Sequence, residues 1–392
     1  MVSAFTLKVP QRTVFGPGKF TELIDILSAV GSKPLFVFGS DSFLASTHYE
    51  LLLQLLTDSK INLKKVHIHQ EPSPDNINSL VKKFTLGEID CVAGIGGGSV
   101  LDAAKALSAM LVERSNVFDF LEGVGHRVPS GRKLPFVAIP TTSGTGSEAT
   151  ANAVLSRVSN SGFKKSLRHD NFIPNCALID PELTLSCPSS VTTSCGMDCF
   201  TQLVEGFLST KSSQVTDLLA LDGIRAIKRS LKMAVMMPEN LPARTDLSYA
   251  AYLSGIVLAN AGLGAVHGFA SVVGGYCDIP HGVICSSLMA PANDYTLRKL
   301  RKGADSDQVS LKKYSELGKI FSSEESKSDS WYQDHFIAHL YKLSDELGIP
   351  ALSSFGLVDS MVNTIASQTG DKFNPIALSK EERKAILLND FS

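Results

Sequence analysis

Residues 94–105 read Gly94-Ile95-Gly96-Gly97-Gly98-Ser99-Val100-Leu101-Asp102-Ala103-Ala104-Lys105, with three consecutive glycines between two regular elements. The preceding run, residues 90–93, is typical of a buried strand, whereas residues 101–110 have the apolar spacing of a helix. Glycines let the backbone approach a ligand closely, and a helix N-terminus offers unpaired N–H groups and a positive dipole end. The pattern predicts an anion site for a pyrophosphate, and the alternative is a tight turn in which Ser99 caps the helix.

The composition is that of a soluble enzyme with material for two domains. The chain has 392 residues, of which 44% are hydrophobic and 19% charged. A net charge of −2 gives no electrostatic reason to expect a nucleic acid or an anionic membrane surface as partner. Neither a signal peptide nor a run of about 18 uninterrupted apolar residues stands out. The seven cysteines lie mostly in apolar segments, so we expect free thiols in a reducing compartment, the cytoplasm by default.

The chain changes character near residue 185. Before it, strand candidates alternate with helix candidates, which predicts a mostly parallel sheet with helices on both faces in an α/β domain over residues 1–185. The strand candidates are residues 34–38, 63–68, 91–95, 136–139 and 176–179, and the helix candidates are residues 20–27, 76–84 and 101–110. Residues 186–392 are predicted to form an all-helical domain. Its helix candidates are residues 189–209, 214–233, 247–261, 311–321, 333–347 and 381–388.

A second glycine-rich segment follows the strand candidate 136–139. It reads Pro140-Thr141-Thr142-Ser143-Gly144-Thr145-Gly146-Ser147-Glu148. Its hydroxyl groups suit a sugar or a carboxamide, although a solvent loop of turn-forming residues would have a similar composition. Both glycine-rich segments follow apolar strands. They would therefore meet at the carboxyl edge of one parallel sheet, where open α/β proteins bind ligands.

The predicted helical half contains candidate metal ligands. Asp198 and Gln202 are four residues apart on a predicted helix and share a face, with Glu205 three residues further on. His267 and His281 each precede a glycine in an apolar segment. One carboxylate and two imidazoles suit a zinc or iron ion. A separation of fourteen residues is no local metal motif, however, so a buried structural histidine is the alternative for each.

These motifs resemble, in order and over nearly the whole chain, those of the iron-containing (group III) alcohol dehydrogenases. Residues 96–99 with Asp102 and Lys105 are similar to the family's pyrophosphate signature, residues 140–148 to its second cofactor loop, and residues 180–183 to its domain junction. The resemblance implies a dinucleotide-binding α/β domain, a helical domain, and an active site in the cleft between them. It assigns cofactor contacts to Gly97, Gly98, Ser99, Asp102, Thr141, Thr142 and Thr145, and more loosely to Lys164 at the place of a ribose-binding lysine.

The resemblance also implies that Asp198, His267 and His281 bind a metal and take part in catalysis. Iron-dependent members have a histidine four residues after the aspartate, where this chain has Gln202. Its amide is a poorer ligand for iron or zinc and would be a weak fourth ligand or a hydrogen-bond donor to the substrate. Related glycerol dehydrogenases bind zinc without that histidine, so a metal with an open position remains compatible. A family proton-relay histidine is replaced by Ser271, which with water would relay the proton.

The expected activity is that of an NAD(P)-dependent alcohol dehydrogenase or carbonyl reductase. Hydride passes between a small-molecule alcohol, or its aldehyde or ketone, and the nicotinamide, while an iron or zinc ion stabilises the substrate oxygen. The resemblance also implies a homodimer. Three alternatives stay open: a metal-free reductase of the maleylacetate reductase type, a lyase of the dehydroquinate synthase type that uses NAD transiently, and a non-catalytic dinucleotide-binding protein.

The end of the strand candidate 34–38 bears on the choice between NAD and NADP. Relatives that prefer NAD tend to have an acid here, which accepts a hydrogen bond from the adenosine 2′-hydroxyl. This chain has Gly39 followed by Ser40, with Asp41 next. An acid repels a 2′-phosphate whereas Gly-Ser can accept one, so the sequence favours NADP(H) with Gly39 and Ser40 as cofactor contacts, unless Asp41 takes the acid's role.

Overall fold

The computed structural model describes residues 4–39, 41–85, 87–159, 162–303 and 308–388, and its first half contains eight strands. These are β1 Arg12–Phe15, β2 Pro34–Phe38, β3 Lys64–His67, β4 Cys91–Gly96, β5 Phe136–Pro140, β6 Asn152–Arg157, β7 Phe163–Arg168 and β8 Cys176–Ile179. Six of them form a parallel sheet in the order β1-β8-β5-β4-β2-β3, and β6 and β7 form an antiparallel pair. The central strands β2, β4 and β5 are buried along their whole length, as expected for a parallel sheet that is covered on both faces.

Five helices accompany the sheet. They are α1 Leu23–Ser28, α2 Asp41–Leu44, α3 Thr47–Asp58, α4 Pro74–Lys82 and α5 Gly98–Glu113. Alternate side chains of β2 enter opposite cores: Leu35 and Val37 pack in the core that includes residues of α4 and α5, whereas Phe36 and Phe38 pack in the core that includes residues of α1 and α3. The predicted parallel sheet with helices on both faces is therefore confirmed.

The second half is helical, as predicted. Its helices are α6 Ser189–Leu208, α7 Gln214–Met236, α8 Leu241–Ala261, α9 Ala265–Tyr276, α10 His281–Leu300, α11 Gln308–Phe321, α12 Asp329–Glu346, α13 Asp359–Gln368 and α14 Lys380–Leu388. Helix α6 lies at the centre and packs against α7, α8 and α10, so most of its side chains are buried. The change from strands to helices follows the short 3₁₀ turn Pro181–Thr184, while the domain boundary at residue 185 stays a prediction.

The described residues were compared with the requirements for a membrane-spanning helix and for disulfide bonds. No single helix in the described ranges is long and apolar enough to cross a membrane, and α8 and α9 meet that requirement only together, with a bend of 97° at the break between them. All seven cysteines are free thiols, and six of them are buried. Helix α9, which follows this bend, carries the buried His267.

Candidate active site

A cleft of about 1180 Å³ is lined by both halves of the protein. Gly97, Ser99 and Thr142 line it from the α/β half, and Asp198 and His281 line it from the helical half. The two groups of residues singled out in the sequence therefore face one continuous space. Its size suits a small-molecule ligand together with a cofactor.

The glycine-rich turn between β4 and α5 forms one wall of the cleft. Gly97 is the N-cap residue of α5, so Ser99 lies inside the first turn and the interpretation of Ser99 as the cap is wrong. A Cβ atom at Gly98 would lie 2.7 Å from Thr145 Cγ2, and one at Gly96 would lie 2.6 Å from Val100 Cγ2. The packing thus requires glycine at both positions. The N–H groups of the first helical turn have no partner within the helix and can serve an anion.

The second loop lies beside the first at the carboxyl edge of the sheet, as predicted. Its strand β5 pairs with β4, and the N–H of Thr141 donates a hydrogen bond to the carbonyl oxygen of Gly96 at 3.0 Å. Thr142 is the nearest side chain to Gly97, and Thr145 Oγ1 accepts a hydrogen bond from the N–H of Ser147 at 3.3 Å. Thr141, Thr142 and Thr145 all line the cleft. The loop can therefore present hydroxyl groups to a cofactor that lies against the first turn of α5.

The second loop also touches the helical half directly. A Cβ atom at Gly146 would lie 2.4 Å from the backbone nitrogen of Gly255 on α8, and one at Gly144 would lie 2.7 Å from Cys195 Cβ on α6. The Ser254 hydroxyl lies 3.4 Å from the carbonyl oxygen of Gly144. At Gly146 and Gly255, backbone meets backbone without intervening side chains. These contacts join the cofactor loop to α8 and to α6, the helix that carries Asp198.

Asp102 and Lys164 are held by ion pairs and hydrogen bonds of their own. Asp102 accepts hydrogen bonds from Ser147 Oγ at 2.5 Å and from the N–H of Val154 at 3.0 Å, and burial raises the pKa of its carboxyl group. Lys164 on β7 forms an ion pair with Glu71. Burial opposes ionisation of Glu71, but the Lys164 ammonium lowers the pKa of that carboxyl group overall. Glu71 could not be found from the sequence because nothing in its local pattern points to β7.

Gly39 lines the cleft at the end of β2, and its carbonyl oxygen lies 3.4 Å from His67 Nδ1 on the neighbouring strand β3. Its predicted companion Ser40 lies outside the described residues. The predicted contact between Ser40 and an NADP(H) cofactor therefore stays a prediction.

Lys105 and Glu148 are fully buried behind the cofactor loops. The Lys105 ammonium donates hydrogen bonds to the carbonyl oxygens of Ser147 and Asn152 and to the Thr150 hydroxyl, each at 2.9 Å. Burial lowers the pKa of Lys105 to about 8 and raises the pKa of Glu148 to about 7. Lys105 thus ties the second loop to the β6–β7 pair. Its place in the glycine-rich motif is explained by support of the loop rather than by contact with a ligand.

The candidate metal ligands meet at the centre of the helical half. His267 Nε2 lies 3.2 Å from Asp198 Oδ1, and His281 Nε2 lies 3.8 Å from the same oxygen. A fourth side chain, Cys285, places its Sγ atom 3.6 Å from His267 Nε2 and 3.7 Å from His281 Nε2. The four donor atoms all lie within 4.8 Å of one another. The first three residues were predicted from the sequence, whereas Cys285 was not.

Glu205 fixes the orientation of His267. Its Oε2 atom lies 2.6 Å from His267 Nδ1, and its Oε1 atom accepts hydrogen bonds from the N–H of Val266 at 2.6 Å and of His267 at 3.4 Å. A carboxylate at Nδ1 keeps a proton on that nitrogen, so Nε2, which faces Asp198, is the nitrogen that can bind a metal once its own proton is lost. This is the arrangement in which a histidine binds a metal through Nε2.

Gln202 and Ser271 lie beside the cluster with their polar atoms engaged. The Gln202 amide donates to Asp198 Oδ2 at 3.2 Å, and its oxygen accepts from Ser254 Oγ at 3.0 Å. The atom that faces Asp198 is therefore the nitrogen, which does not bind metals. The Ser271 hydroxyl lines the cleft and donates to the carbonyl oxygen of His267 at 2.7 Å.

Burial and neighbouring charges shift the pKa values of the whole cluster. Burial opposes ionisation of Asp198, but the two histidines outweigh it and lower the pKa of Asp198 to about 2. Burial lowers the pKa of His281 to about 3, and it raises the pKa of Cys285 to about 12. For His267 burial is outweighed by Cys285, Glu205 and Asp198, which raise its pKa. Strongly shifted groups that share a cleft are typical of functional sites.

The donor set fits a divalent metal ion. A carboxylate, two imidazoles and a thiol are ligands that zinc and other first-row ions accept. His281 Nδ1 is a buried nitrogen without a hydrogen-bond partner among the described residues, and its Nε2 lies 3.8 Å from Asp198 Oδ1 and 3.7 Å from Cys285 Sγ. An ion between these residues would give the Nε2 atom a stronger partner than the thiol.

Comparison with known proteins agrees with this geometry. The family model "Iron-containing alcohol dehydrogenase" matches residues 10–181, and the model "Fe-containing alcohol dehydrogenase family, C-terminal" matches residues 192–391. The chain is 31% identical to long-chain-alcohol dehydrogenase 1 of Geobacillus thermodenitrificans over 369 residues, which cover 93% of this chain and 90% of the relative. It is 31% identical to the NAD-dependent methanol dehydrogenase of Bacillus methanolicus over 287 residues, 72% of this chain and 73% of the relative.

The fold matches solved structures as well. The structure of a 1,3-propanediol oxidoreductase superposes with a TM-score of 0.87 at 26% identity, covering 99% of this chain and all of the other.

Proposed function

Because the chain belongs to the iron-containing alcohol dehydrogenase family, we propose that it transfers a hydride between a primary or secondary alcohol, or the corresponding carbonyl, and C4 of a nicotinamide. The enzyme is an oxidoreductase that acts on CH–OH groups. The observation that carries the proposal is the shared cleft: both cofactor loops and the cluster of Asp198, His267 and His281 line it. The main contribution of the protein is to orient the two reactants, since the nicotinamide supplies the redox chemistry.

Asp198, His267 and His281 would hold the divalent metal, iron or zinc. When bound, the metal supplies a Lewis acid that stabilises negative charge on the substrate oxygen. Glu205 keeps His267 in the tautomer that binds, and Leu263 and Ile279, both buried, line the same cleft. They offer apolar contacts to the carbon chain of an alcohol.

We propose that Ser271 passes the alcohol proton toward solvent. Its hydroxyl hydrogen, which faces the carbonyl oxygen of His267, would turn to a water molecule as an oxygen lone pair accepts the proton of the alcohol, so that one proton arrives and one leaves. Gln202 supports Asp198 in this scheme by donating to its second carboxylate oxygen.

For the cofactor we propose NAD(H) as the physiological partner. The methanol dehydrogenase relative is described as NAD-dependent, and the similarity to it gives no support to the sequence-based preference for NADP(H). Steady-state rates with NADH and NADPH at matched substrate concentration measure the preference. We further propose that the protein is a homodimer and that it works in the reducing cytoplasm. The seven free cysteines support the choice of compartment.

The metal-dependent mechanism is tested with protein purified without chelators. We expect His267→Ala and His281→Ala to lose metal and turnover together, while NADH fluorescence titration still shows binding in the α/β half. A metal-free wild type that reduces aldehydes, together with an undiminished rate for His267→Ala, would identify a reductase of the metal-independent type. Turnover without net change in nicotinamide absorbance would identify a lyase instead.

A further inference from the structure

We propose that Cys285 is the fourth metal ligand, and that the enzyme holds zinc through one carboxylate, two imidazoles and one thiolate. The inference rests on the proposed function only in requiring a metal at Asp198, His267 and His281. It concerns a further protein ligand and the identity of the ion. Because zinc in catalytic sites can expand to five-coordinate, the substrate oxygen would still have a position beside the four protein ligands.

Distances within the cluster support this assignment. Zinc binds nitrogen and oxygen at about 2.0–2.2 Å and sulfur at about 2.3 Å, so neighbouring ligand atoms of a tetrahedral site lie about 3.3–3.6 Å apart. The separations from Cys285 Sγ to the two Nε2 atoms are 3.6 and 3.7 Å, and the separation from His267 Nε2 to Asp198 Oδ1 is 3.2 Å. A donor at each of these atoms can reach one common ion with only small movements.

The helix geometry places Cys285 where a ligand is needed. His281 is the first residue of α10 and Cys285 follows four residues later, so both side chains lie on the same face of the helix. Cys285 is fully buried, and in the described part of the protein its sulfur contacts the ring nitrogens of the two histidines. Without a metal this thiol lies within hydrogen-bond distance of two imidazole nitrogens but can donate its single hydrogen to only one of them at a time.

Gln202 does not present a metal-binding atom to the cluster. The amide oxygen of Gln202, its only atom able to bind a metal, accepts the Ser254 hydroxyl on α8. The amide nitrogen donates to Asp198 Oδ2 and thereby leaves Oδ1 for the cluster. Gln202 is thus engaged in positioning Asp198, and Cys285 on α10 supplies the donor that α6 lacks.

The ligand chemistry determines the choice of ion. Binding requires the thiol to lose its proton to solvent, after which the thiolate donates an electron pair to the ion without any change of oxidation state. A soft thiolate in a tetrahedral set with nitrogen favours zinc, whereas harder oxygen-rich and octahedral sets favour other divalent ions. We therefore expect zinc to be retained in preference to iron(II).

Cobalt(II) substitution tests the ligand directly. The holoenzyme is depleted of metal and reloaded with cobalt, and we expect a sulfur-to-cobalt charge-transfer band in the near ultraviolet together with intense tetrahedral d–d bands. The charge-transfer band should vanish in Cys285→Ser and persist in Cys277→Ser, a matched control whose sulfur lies against Met361 and Gly356 instead. A wild type that binds cobalt without the band, or a Cys285→Ser variant that keeps it, would overturn the assignment.

Two further measurements cover variants that fold poorly and separate the inference from the proposed function. X-ray absorption at the zinc edge of the wild type should show one sulfur scatterer at about 2.3 Å, and its absence overturns the inference even if no variant is stable. In Cys285→Ala we expect zinc affinity to fall at least about tenfold, and addition of Gln202→His should restore metal retention without a sulfur band. Nicotinamide-dependent carbonyl reduction by a wild type lacking the sulfur signature would leave the proposed function intact and refute the role of Cys285.

Apo protein offered equimolar zinc and iron(II) under anaerobic conditions tests the choice of ion. Preferential uptake of zinc is expected for the wild type, with a smaller preference for Cys285→Ser. Preferential uptake of iron by the wild type would contradict the proposed selection.

Discussion

Glu205→Gln is expected to weaken metal binding although Glu205 is not itself a ligand. In the wild type both carboxylate oxygens accept hydrogen bonds, one from His267 Nδ1 at 2.6 Å and the other from the N–H of Val266 at 2.6 Å. A glutamine has one acceptor and one donor in their place. Either its NH₂ group faces the N–H of Val266, which leaves two donors opposed, or it faces His267 Nδ1.

The second orientation has a chemical consequence. An NH₂ group at Nδ1 requires that nitrogen to be an acceptor, so the proton of the neutral imidazole moves to Nε2 and blocks the atom that faces Asp198. Loss of such a supporting carboxylate typically lowers metal affinity by about 10–100-fold, which corresponds to about 1.4–2.7 kcal/mol. In either orientation a buried hydrogen bond of Glu205 is lost. We therefore expect the metal affinity to fall at least about tenfold, the lower end of this range.

Competition with a chromogenic chelator measures the metal affinity of Glu205→Gln against the wild type. NADH titration serves as the control for folding, since the cofactor loops lie in the other half of the protein. Glu182→Gln, a partly exposed carboxylate near the domain junction, controls for loss of one negative charge. Zinc affinity of Glu205→Gln within twofold of the wild type would show that Glu205 does not set the tautomer of His267.

Two further predictions concern the α/β half. Gly97→Val should abolish NADH binding with little loss of thermal stability, because the nearest atom to the added Cβ is Thr142 Oγ1 at 3.3 Å. Gly98→Val should lose both NADH binding and thermal stability, because its Cβ would lie 2.7 Å from Thr145 Cγ2. Fluorescence titration and melting curves distinguish the two variants, and unchanged cofactor affinity in Gly97→Val would count against the pyrophosphate site. The pKa of Glu148 is about 7 in the native protein against 4.5 in the unfolded chain, so between these pH values the native state keeps a proton on Glu148 that the unfolded state has lost. The free energy of unfolding should therefore fall as pH rises from 4.5 to 7. Plotted against pH, the free energy from urea unfolding should be flatter for Glu148→Gln than for the wild type, and parallel plots would refute the assignment.

The sheet was predictable from sequence where burial is complete. Strands β2, β4, β5 and β8 are continuous apolar runs bounded by turn residues, and each was located to within about a residue. The edge strand β1 was missed because only Val14 of its four residues is buried. The pair β6–β7 was missed because its strands carry charged residues and the apolar run of β6 is only three residues long.

The helices that carry the histidines were harder to predict. Helix α9 contains three glycines and α10 contains Pro291, residues that weaken a helix in isolation, so their stability comes from burial in the tertiary structure. The sequence named Asp198, His267 and His281, and the structure brings them together, but their metal-binding role stays a prediction. Cys285 could not be distinguished in the sequence from other cysteines in apolar helices. Only the packing of α9 against α10 places its sulfur beside His267.

The backbone contact between the second cofactor loop and helix α8 has a mechanical consequence. Gly146 and Gly255 touch without side chains between them, so the two halves cannot slide past each other at this point without breaking van der Waals contact. If the two halves rotate, this contact would serve as the pivot, and the distances at the rim of the cleft would change more than those between the loop and the neighbouring helices. A side chain added at Gly255 would displace the pivot itself and alter the spacing of cofactor and metal in every state of the enzyme.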